Sequence, residues 1–134
     1  MPASWAKPRK FDRNLIVIGA GAAGLVSSYI AAMAKAKVTL IEAERMGGDC
    51  LNTGCVPSKA LLKSARVAHS ARDAARYGIG TGEISVDFPR VMQRIREVIT
   101  AIEPHDSIER YTGLGVECLT GYARFVDPWT VEIA

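Results

Sequence analysis

Hydrophobic positions near the start of the chain change from a continuous run to a helical pattern and back again. Leu15–Ile18 is a short apolar run of the kind found in buried parallel strands. Residues 22–36 are rich in alanine and contain no glycine after Gly24, which favours a helix. Residues 37–42, KVTLIE, are rich in β-branched side chains and predict a second strand. This order predicts a βαβ unit.

The remaining pattern predicts two longer helices and a β-rich end. Apolar residues recur at helical spacing between residues 60 and 77, and a second amphipathic helix is predicted from Pro89 to Glu103. Pro104 ends that helix, and a short helical restart then stops at glycines. Residues 116–133 read as strands with a turn at Asp127-Pro128. Helices and strands alternating in this way predict an α/β fold.

Composition and charge narrow the class of protein. The chain has 134 residues, 49% hydrophobic and 23% charged, which is typical of one globular domain. The net charge of +3 is small, and part of it lies in residues 1–13, which we interpret as a solvated basic tail before a domain at 14–134. No pattern of basic and aromatic residues indicates a nucleic-acid partner. Three cysteines are too few for a disulfide framework.

An uncharged segment, residues 15–34, also has the composition of a signal peptide or a membrane span. Three glycines lie close together near the N-terminal end of this segment, however, and a lipid-facing helix does not need glycines there. A buried strand followed by a buried helix explains both the apolar run and the glycines. We therefore expect a cytoplasmic protein, with any membrane association arising from sequence outside this chain.

A glycine-rich turn joins the first predicted strand to the first predicted helix. Its sequence, Gly19-Ala-Gly21-Ala-Ala-Gly24, is a complete G-x-G-x-x-G. Glycines in such turns allow a tight bend, close approach of a pyrophosphate and close packing of helix on strand. The first helical turn, with Ala22 and Ala23, offers free N–H groups and a positive dipole end to the phosphates.

An acidic residue completes this pattern. Glu42 stands at the end of the second predicted strand, where a carboxylate can accept the hydroxyls of an adenosine ribose and repel a 2′-phosphate. Strand, glycine turn, helix and acid together predict dinucleotide binding. The pattern does not distinguish FAD from NAD.

Two of the three cysteines lie close together in GGDCLNTGCVPSK, residues 47–59. On a regular helix the Cα atoms of Cys50 and Cys55 would be roughly 8–9 Å apart, whereas a disulfide needs about 4.4–6.8 Å. The backbone must therefore be distorted, and we expect this at residues 52–54. Lys59 and a nearby helix start favour a reactive thiolate. A zinc site and a structural disulfide are the alternatives, although further ligands are scattered.

The same run resembles the active-site motif of the class I pyridine nucleotide–disulfide oxidoreductases, which include dihydrolipoamide dehydrogenase, glutathione reductase and mercuric reductase. The resemblance extends from Asn14 to the end of the chain. It implies a Rossmann-like three-layer FAD-binding domain, with a parallel sheet, helices and a small β excursion, truncated at its C-terminal end. It also implies NAD(P)H as the reductant of FAD and a homodimer in the intact enzyme.

Site residues follow from the resemblance, position by position. Cys50 corresponds to the interchange thiol that meets the substrate, and Cys55 to the charge-transfer thiol beside the flavin ring. Lys59 corresponds to the lysine near flavin N5. The resemblance also implies that the backbone of Gly47 and Gly48 approaches the FAD pyrophosphate.

Two further positions come from the resemblance, and one position departs from it. The family's GYARF region passes the adenine, so the backbone at Gly121 and Ala123 is expected to contact FAD. Many members carry threonine where this chain has Asp49. An acid beside a pyrophosphate is unfavourable unless it points away or pairs with a cation such as Arg45. We interpret Cys118 as a small core residue and predict no metal site.

These observations predict the FAD-binding, redox-disulfide portion of an NAD(P)H-dependent flavoprotein disulfide reductase. Its substrate is expected to be a small disulfide, a dithiol or a metal ion. The family's second glycine-rich unit and interface domain have no counterpart in the sequence, so we expect the chain to be inactive alone. The alternatives are a non-catalytic flavin-binding module, and an exported or membrane-targeted protein with structural cysteines.

Overall fold

The computed structural model describes residues 5–134, and the first four residues of the predicted tail lie outside this range. The described residues form two compact units. Residues 5–48 and 104–134 form what we call the sheet unit, and residues 49–103 form the helical unit. Within residues 5–134, no helix is both long enough and apolar enough to span a bilayer.

A parallel three-stranded sheet is the centre of the sheet unit. Its strands are β1 (Leu15–Ile18), β2 (Val38–Glu42) and β3 (Val116–Thr120), in the order β1-β2-β3. Parallel neighbours need a crossover connection, and α1 (Ala22–Met33) supplies it between β1 and β2. The predicted α/β fold with a parallel sheet is therefore confirmed.

Helix α1 ends earlier than the sequence predicted. Lys35 adopts a left-handed backbone conformation with φ of 63°. The N–H of Ala36 then donates to the carbonyl of Ala31 at 3.0 Å, which closes the helix end. This sharp stop turns the chain into β2 and leaves residues 34–36 outside the helix.

The core of the sheet unit lies between α1, α5 (Ile108–Gly113) and the sheet. Strand β2 is buried along four of its five residues because it has a neighbour on each side. The buried cluster consists of Val17, Ala20, Leu25, Ala32, Val38, Leu40, Tyr111 and Val116. This cluster is the largest apolar contribution to folding that the sheet unit makes.

Strand β1 is less covered than the sequence predicted. We expected a parallel strand buried on both faces, but Ile16 and Ile18 are 38% and 49% exposed, while Val17 is buried. The reason is topological: β1 pairs only with β2 and lies at the sheet edge.

The chain ends in the predicted small β excursion. Strands β4 (Ala123–Asp127) and β5 (Thr130–Ile133) form an antiparallel hairpin around a turn at residues 128–129. Part of the predicted tail contacts this hairpin, because the rings of Phe11 and Trp129 lie 5.9 Å apart.

The helical unit consists mainly of two packed helices. Helix α2 (Gly48–Asn52) begins at the unit boundary and is followed by α3 (Cys55–Arg72) and α4 (Phe88–Ile102). Helices α3 and α4 pack together, and Arg94 donates to the carbonyl of Ala60 at 3.2 Å. Short 3-10 turns follow α3 and α4, at residues 74–77 and 103–106.

Candidate functional site

The glycine turn has the tight geometry that its sequence predicted. Gly19 has φ of 94°, and its N–H donates to the carbonyl of Ile41 at 2.7 Å, continuing the β1–β2 ladder. A Cβ at Gly24 would lie 1.9 Å from the carbonyl oxygen of Gly19. No side chain fits there, so Gly24 is required for α1 to approach the end of β1.

The second glycine pair lies against the first turn. Gly47 donates its N–H to the carbonyl of Ala20 at 2.9 Å. Gly48 has φ of 52°, and a Cβ there would be 2.7 Å from the Cα of Gly21. The sheet unit therefore brings together the two backbone segments that the sequence assigned to a pyrophosphate.

Gly21 is the position where space is left open. Its φ of −76° is accessible to any residue, and a Cβ placed there would meet no atom within 4 Å. Neither backbone conformation nor contacts among the described residues explain a glycine here. The motif assigns this position to close approach of a pyrophosphate, and the open space at Gly21 is compatible with that prediction.

The first turn of α1 is open to the same group. No side chain caps this helix end, and its first turn contains no acidic residue. Ala22 and Ala23 are exposed, so their backbone is accessible from outside. Free N–H groups and the helix dipole make such an end favourable for phosphate. The residues present fit a dinucleotide pyrophosphate.

Glu42 lies beside the glycine turn, at the end of β2. One carboxylate oxygen accepts the N–H of Ala20 at 2.5 Å, and the other accepts the N–H of Glu44 at 2.8 Å. These two bonds fix the direction of the carboxylate. Each oxygen keeps a further lone pair that can accept a hydroxyl, so the predicted ribose contact stays possible in this arrangement.

Gly121 and Ala123 have different surroundings. Gly121 donates its N–H to the carbonyl of Glu42 at 2.9 Å, which places it next to the glycine turn. A Cβ there would be 2.5 Å from the side chain of Ile133, so its glycine also serves the hairpin. Ala123 lies within β4 and pairs with Ile133. Their predicted contacts with FAD stay predictions.

In the helical unit, a break between α2 and α3 separates the two cysteines. The carbonyl of Asp49 accepts the N–H of Thr53 at 3.0 Å and the N–H of Gly54 at 2.6 Å. The second bond spans one residue more than an α-helical bond does, which ends α2 and redirects the chain. The break falls within residues 52–54, where the spacing of the cysteines required a distortion.

Across the break the two thiols interact, as the pKa of Cys50 shows. Both cysteines are free, with Cys50 half-buried and Cys55 exposed. A hydrogen bond from the Cys50 thiol to Cys55 is the main reason why the pKa of Cys50 is raised, followed by desolvation and the electrostatic effect of Cys55. Lys59 acts in the opposite direction and favours the Cys50 thiolate.

Asp49 has a partner that its sequence context did not predict. Its carboxylate accepts the hydroxyl of Thr53 at 3.2 Å, whereas the sequence suggested Arg45 as a pairing cation. A carboxylate and a hydroxyl four residues apart are neighbours on a helical turn. The four-residue spacing of Asp49 and Thr53 was the feature of the sequence that could have predicted this hydrogen bond.

The remaining chemically interesting residues have ordinary surroundings. Cys118 lies in β3, packs against the core and has a pKa raised mainly by burial. Among residues 5–134 there is no group of three or more histidine, cysteine or acidic side chains arranged to hold a metal ion.

The fold and the two sites define a class. An α/β sheet unit carries a glycine turn of the dinucleotide-binding type, and a break between two helices separates two cysteines whose thiols interact, as in nucleotide-binding redox proteins. The pyridine nucleotide-disulphide oxidoreductase family matches residues 13–132. The chain belongs to this family. The predicted cofactors, FAD with NAD(P)H in the intact enzyme, agree with this assignment.

Similar proteins include two of the three kinds of enzyme that the resemblance named. The chain is 36% identical over 117 residues to a dihydrolipoyl dehydrogenase of Bacillus subtilis, covering 87% of this chain and 24% of that protein. It is 32% identical over 123 residues to a mercuric reductase of Bacillus cereus, covering 92% of this chain and 20% of that protein. The chain thus spans about a quarter of the length of the relatives it matches.

A solved structure supports the fold. The copper(II) complex of a mutant of the HOCl-induced flavoprotein disulfide reductase RclA from Escherichia coli superimposes with a TM-score of 0.69. The alignment covers 93% of this chain and 25% of that one, at 24% sequence identity. The mixed α/β architecture is therefore shared.

Proposed function

We propose that this chain is the FAD-binding, redox-disulfide portion of an NAD(P)H-dependent flavoprotein disulfide reductase. The observation that carries the proposal is the helix break between Cys50 and Cys55, where the chain folds back until a Cβ at Gly54 would lie 3.8 Å from the Cα of Cys50. This break supplies the distortion that a regular helix would need before the two cysteines could close a disulfide.

The sheet unit supports the cofactor assignment. The open space at Gly21, the uncapped first turn of α1 and the carboxylate of Glu42 provide for a pyrophosphate and a ribose. When bound, FAD supplies a two-electron relay between NAD(P)H and the cysteine pair.

The chemistry of the chain itself is thiol–disulfide exchange. In the reduced pair, the Cys50 thiolate attacks one sulfur of a disulfide substrate, forms a mixed disulfide and releases one substrate thiol. Cys55 then attacks Cys50 in the mixed disulfide and releases the second thiol. The Cys50–Cys55 disulfide that results has given up two electrons. Lys59 favours the attacking form because its charge lowers the pKa of Cys50.

The proposal extends to the substrate, the oligomeric state and the cellular location of the whole enzyme. The matched relatives are a dihydrolipoyl dehydrogenase and a mercuric reductase, so we propose a small dithiol, a small disulfide or a metal ion as substrate. We also propose that the whole enzyme is a homodimer and acts in the cytoplasm.

One tryptic peptide tests whether Cys50 and Cys55 form a reversible disulfide. Cleavage after Arg45 and Lys59 releases residues 46–59, which contain Cys50 and Cys55 without Cys118. We expect oxidation by glutathione disulfide to make this peptide about 2 Da lighter and resistant to alkylation, and dithiothreitol to reverse both changes. The peptide with Cys118, residues 111–124, is the internal control and should stay alkylatable. Two freely alkylated thiols in peptide 46–59 after oxidation would rule out the redox pair.

A second candidate is a flavin-binding module without catalysis of its own. It is favoured by one observation, that the chain spans about a quarter of the length of its relatives. The two candidates differ in the cysteines: a mere module binds FAD, but its peptide 46–59 does not cycle between dithiol and disulfide.

A further inference from the structure

A residue directly before the C-x4-C turn and a residue within it are joined through their side chains. Asp49 comes directly before Cys50, and Thr53 lies two residues before Cys55. The hydroxyl of Thr53 donates to the carboxylate of Asp49 at 3.2 Å and lies 3.5 Å from the carbonyl oxygen of Asp49, a weaker second acceptor. This side-chain bond therefore joins the start of α2, next to Cys50, to the break that leads to Cys55.

The main chain of Asp49 makes the same connection. Its carbonyl accepts the N–H groups of Thr53 and Gly54, at 3.0 Å and 2.6 Å. Gly54 lies so close that a Cβ there would be 3.0 Å from this carbonyl oxygen and 3.8 Å from the Cα of Cys50. Backbone and side chain of Asp49 thus fix the bend that brings the cysteines together.

The hydrogen bond between the side chains of Asp49 and Thr53 is more important for the bend because α2 is short. Helix α2 has five residues, too few to be stable by its own backbone hydrogen bonds. Leu51, which is buried, anchors α2, and the contacts that cross the bend act in addition to this anchor. Asp49 and Thr53 are both exposed, so no buried apolar contact holds their side chains in place.

We propose that Asp49 and Thr53 are positioning residues that set the reduction potential of the Cys50–Cys55 pair. This inference rests on the proposed function, because it concerns the same redox pair. A bend held closed keeps the two thiols at high effective concentration, which favours the disulfide over the separated thiols. Loosening the bend makes the disulfide easier to reduce.

Equilibration with glutathione measures this effect. The dithiol reacts with one glutathione disulfide to give the Cys50–Cys55 disulfide and two molecules of glutathione. One S–S bond breaks and one forms, and both thiol protons pass to the glutathione sulfurs. The full 134-residue chain is equilibrated at several glutathione ratios, alkylated and digested, and peptide 46–59 gives the oxidised fraction.

Three variants separate the hydrogen bond from the charge. Thr53→Val removes the donor while keeping shape and charge, and we expect the equilibrium constant for disulfide formation to fall about 3-fold to 10-fold. Thr53→Ser keeps the hydroxyl and should return within about twofold of wild type. Asp49→Asn removes the charge but keeps an acceptor for Thr53, so its shift should be smaller than that of Thr53→Val.

The matched control is Ser58→Ala. Ser58 also has a hydroxyl beside the pair, but it donates to the carbonyl of Cys55 at 3.2 Å and does not cross the bend. We expect Ser58→Ala to stay within about twofold of wild type. Asp49→Ala removes the same bond from its other end, so Asp49→Ala and Thr53→Val combined should cost less than the sum of their separate effects.

Two results would overturn the inference while leaving the proposed function intact. One is a wild-type equilibrium constant in Thr53→Val, and the other is an equal shift in Ser58→Ala. A wild-type chain that forms no disulfide in peptide 46–59 at any glutathione ratio would instead refute the proposed function and this inference together.

Discussion

At the scale of single residues, Gly21 and Gly24 stand in one motif for different reasons. The carbonyl oxygen of Gly19 excludes a side chain at Gly24, because a Cβ there would lie 1.9 Å from it. Gly21 meets no described atom within 4 Å, so the fold does not require a glycine there, and we propose that a bound pyrophosphate does. On this proposal the motif combines a folding requirement with a binding requirement, and substitution can separate them.

Replacing each glycine by alanine should give opposite patterns. We expect Gly21→Ala to keep the wild-type urea midpoint but to weaken FAD binding at least about tenfold, because its methyl group occupies the space that the pyrophosphate needs. Gly24→Ala should lose about 3 kcal/mol or more of the free energy of unfolding, since backbone must move. Flavin fluorescence titration and urea denaturation measure the two effects.

Gly113→Ala is the matched control for these variants. It lies in the same unit, and a Cβ there meets no atom within 4 Å. It should leave both FAD binding and the urea midpoint unchanged. Equal FAD affinity in Gly21→Ala and Gly113→Ala would contradict the assignment of the glycine turn.

The cysteine pair predicts a pH dependence. The raised pKa of Cys50 means that less of it is thiolate at neutral pH than in an isolated cysteine, whose pKa is about 8.5. In a Cys118→Ser background, alkylation of Cys50 by iodoacetamide should therefore rise with pH to a midpoint above that value. Cys55→Ala removes the main cause of the shift, so the midpoint should fall and alkylation at pH 8 should become faster.

Lys59 shifts the pKa of Cys50 in the opposite direction to Cys55. Its charge lowers the pKa of Cys50, so Lys59→Met should move the midpoint further up. Identical pH profiles for the wild type, Cys55→Ala and Lys59→Met would show that the three groups do not interact.

At the scale of secondary-structure elements, one polar network ties the start of β1 to β2 and β3. Arg13 donates to the hydroxyl of Thr39 at 2.7 Å and to the carboxylate of Glu117 at 2.6 Å. Thr39 donates to the same carboxylate at 2.6 Å. These bonds cross three strands, so they connect the end of the predicted tail with the sheet.

The network makes the stability of the sheet unit depend on pH. The Thr39 hydroxyl, and then Arg13, lower the pKa of Glu117 below its usual value. A lowered pKa in the folded state stabilises the fold above the unfolded pKa of about 4.3, and this contribution disappears as pH falls through the folded value. Glu117→Gln should therefore lower the urea midpoint at pH 7, and this difference from wild type should shrink as the pH falls below about 4.3.

Glu132→Gln provides the comparison. Glu132 pairs with Arg124 on the exposed hairpin, where an ion pair contributes little. We expect its urea midpoint to change less than that of Glu117→Gln at pH 7. A difference between Glu117→Gln and wild type that is as large at pH 3 as at pH 7 would contradict the network's role.

At the scale of the whole molecule, the sequence predicted what depends on nearby residues. The apolar run at Leu15–Ile18, the glycine turn and the β-branched run of β2 each appear where they were expected. The edge position of β1 was not predictable, because it depends on which strands find each other across long sequence distances. The bond between Asp49 and Thr53 depends on side-chain rotamers, which a pattern of residue types does not specify.

The whole chain is expected to lack turnover. It contains one G-x-G-x-x-G, which the sheet unit uses, and it spans about a quarter of the length of its relatives. Purified chain loaded with FAD should therefore show no steady oxidation of NADH or NADPH in the presence of lipoamide or Hg²⁺. Steady turnover would contradict this expectation.

Electron uptake tests the central claim, a cysteine pair that exchanges electrons with bound FAD, most directly. The FAD-loaded chain is titrated anaerobically with dithionite, with Cys118→Ser as the control and Cys50→Ser as the variant that cannot form the disulfide. We predict uptake of about four electrons per bound FAD in the wild type and in Cys118→Ser, two for the flavin and two for the disulfide, and about two in Cys50→Ser. About two electrons in all three proteins would contradict the claim.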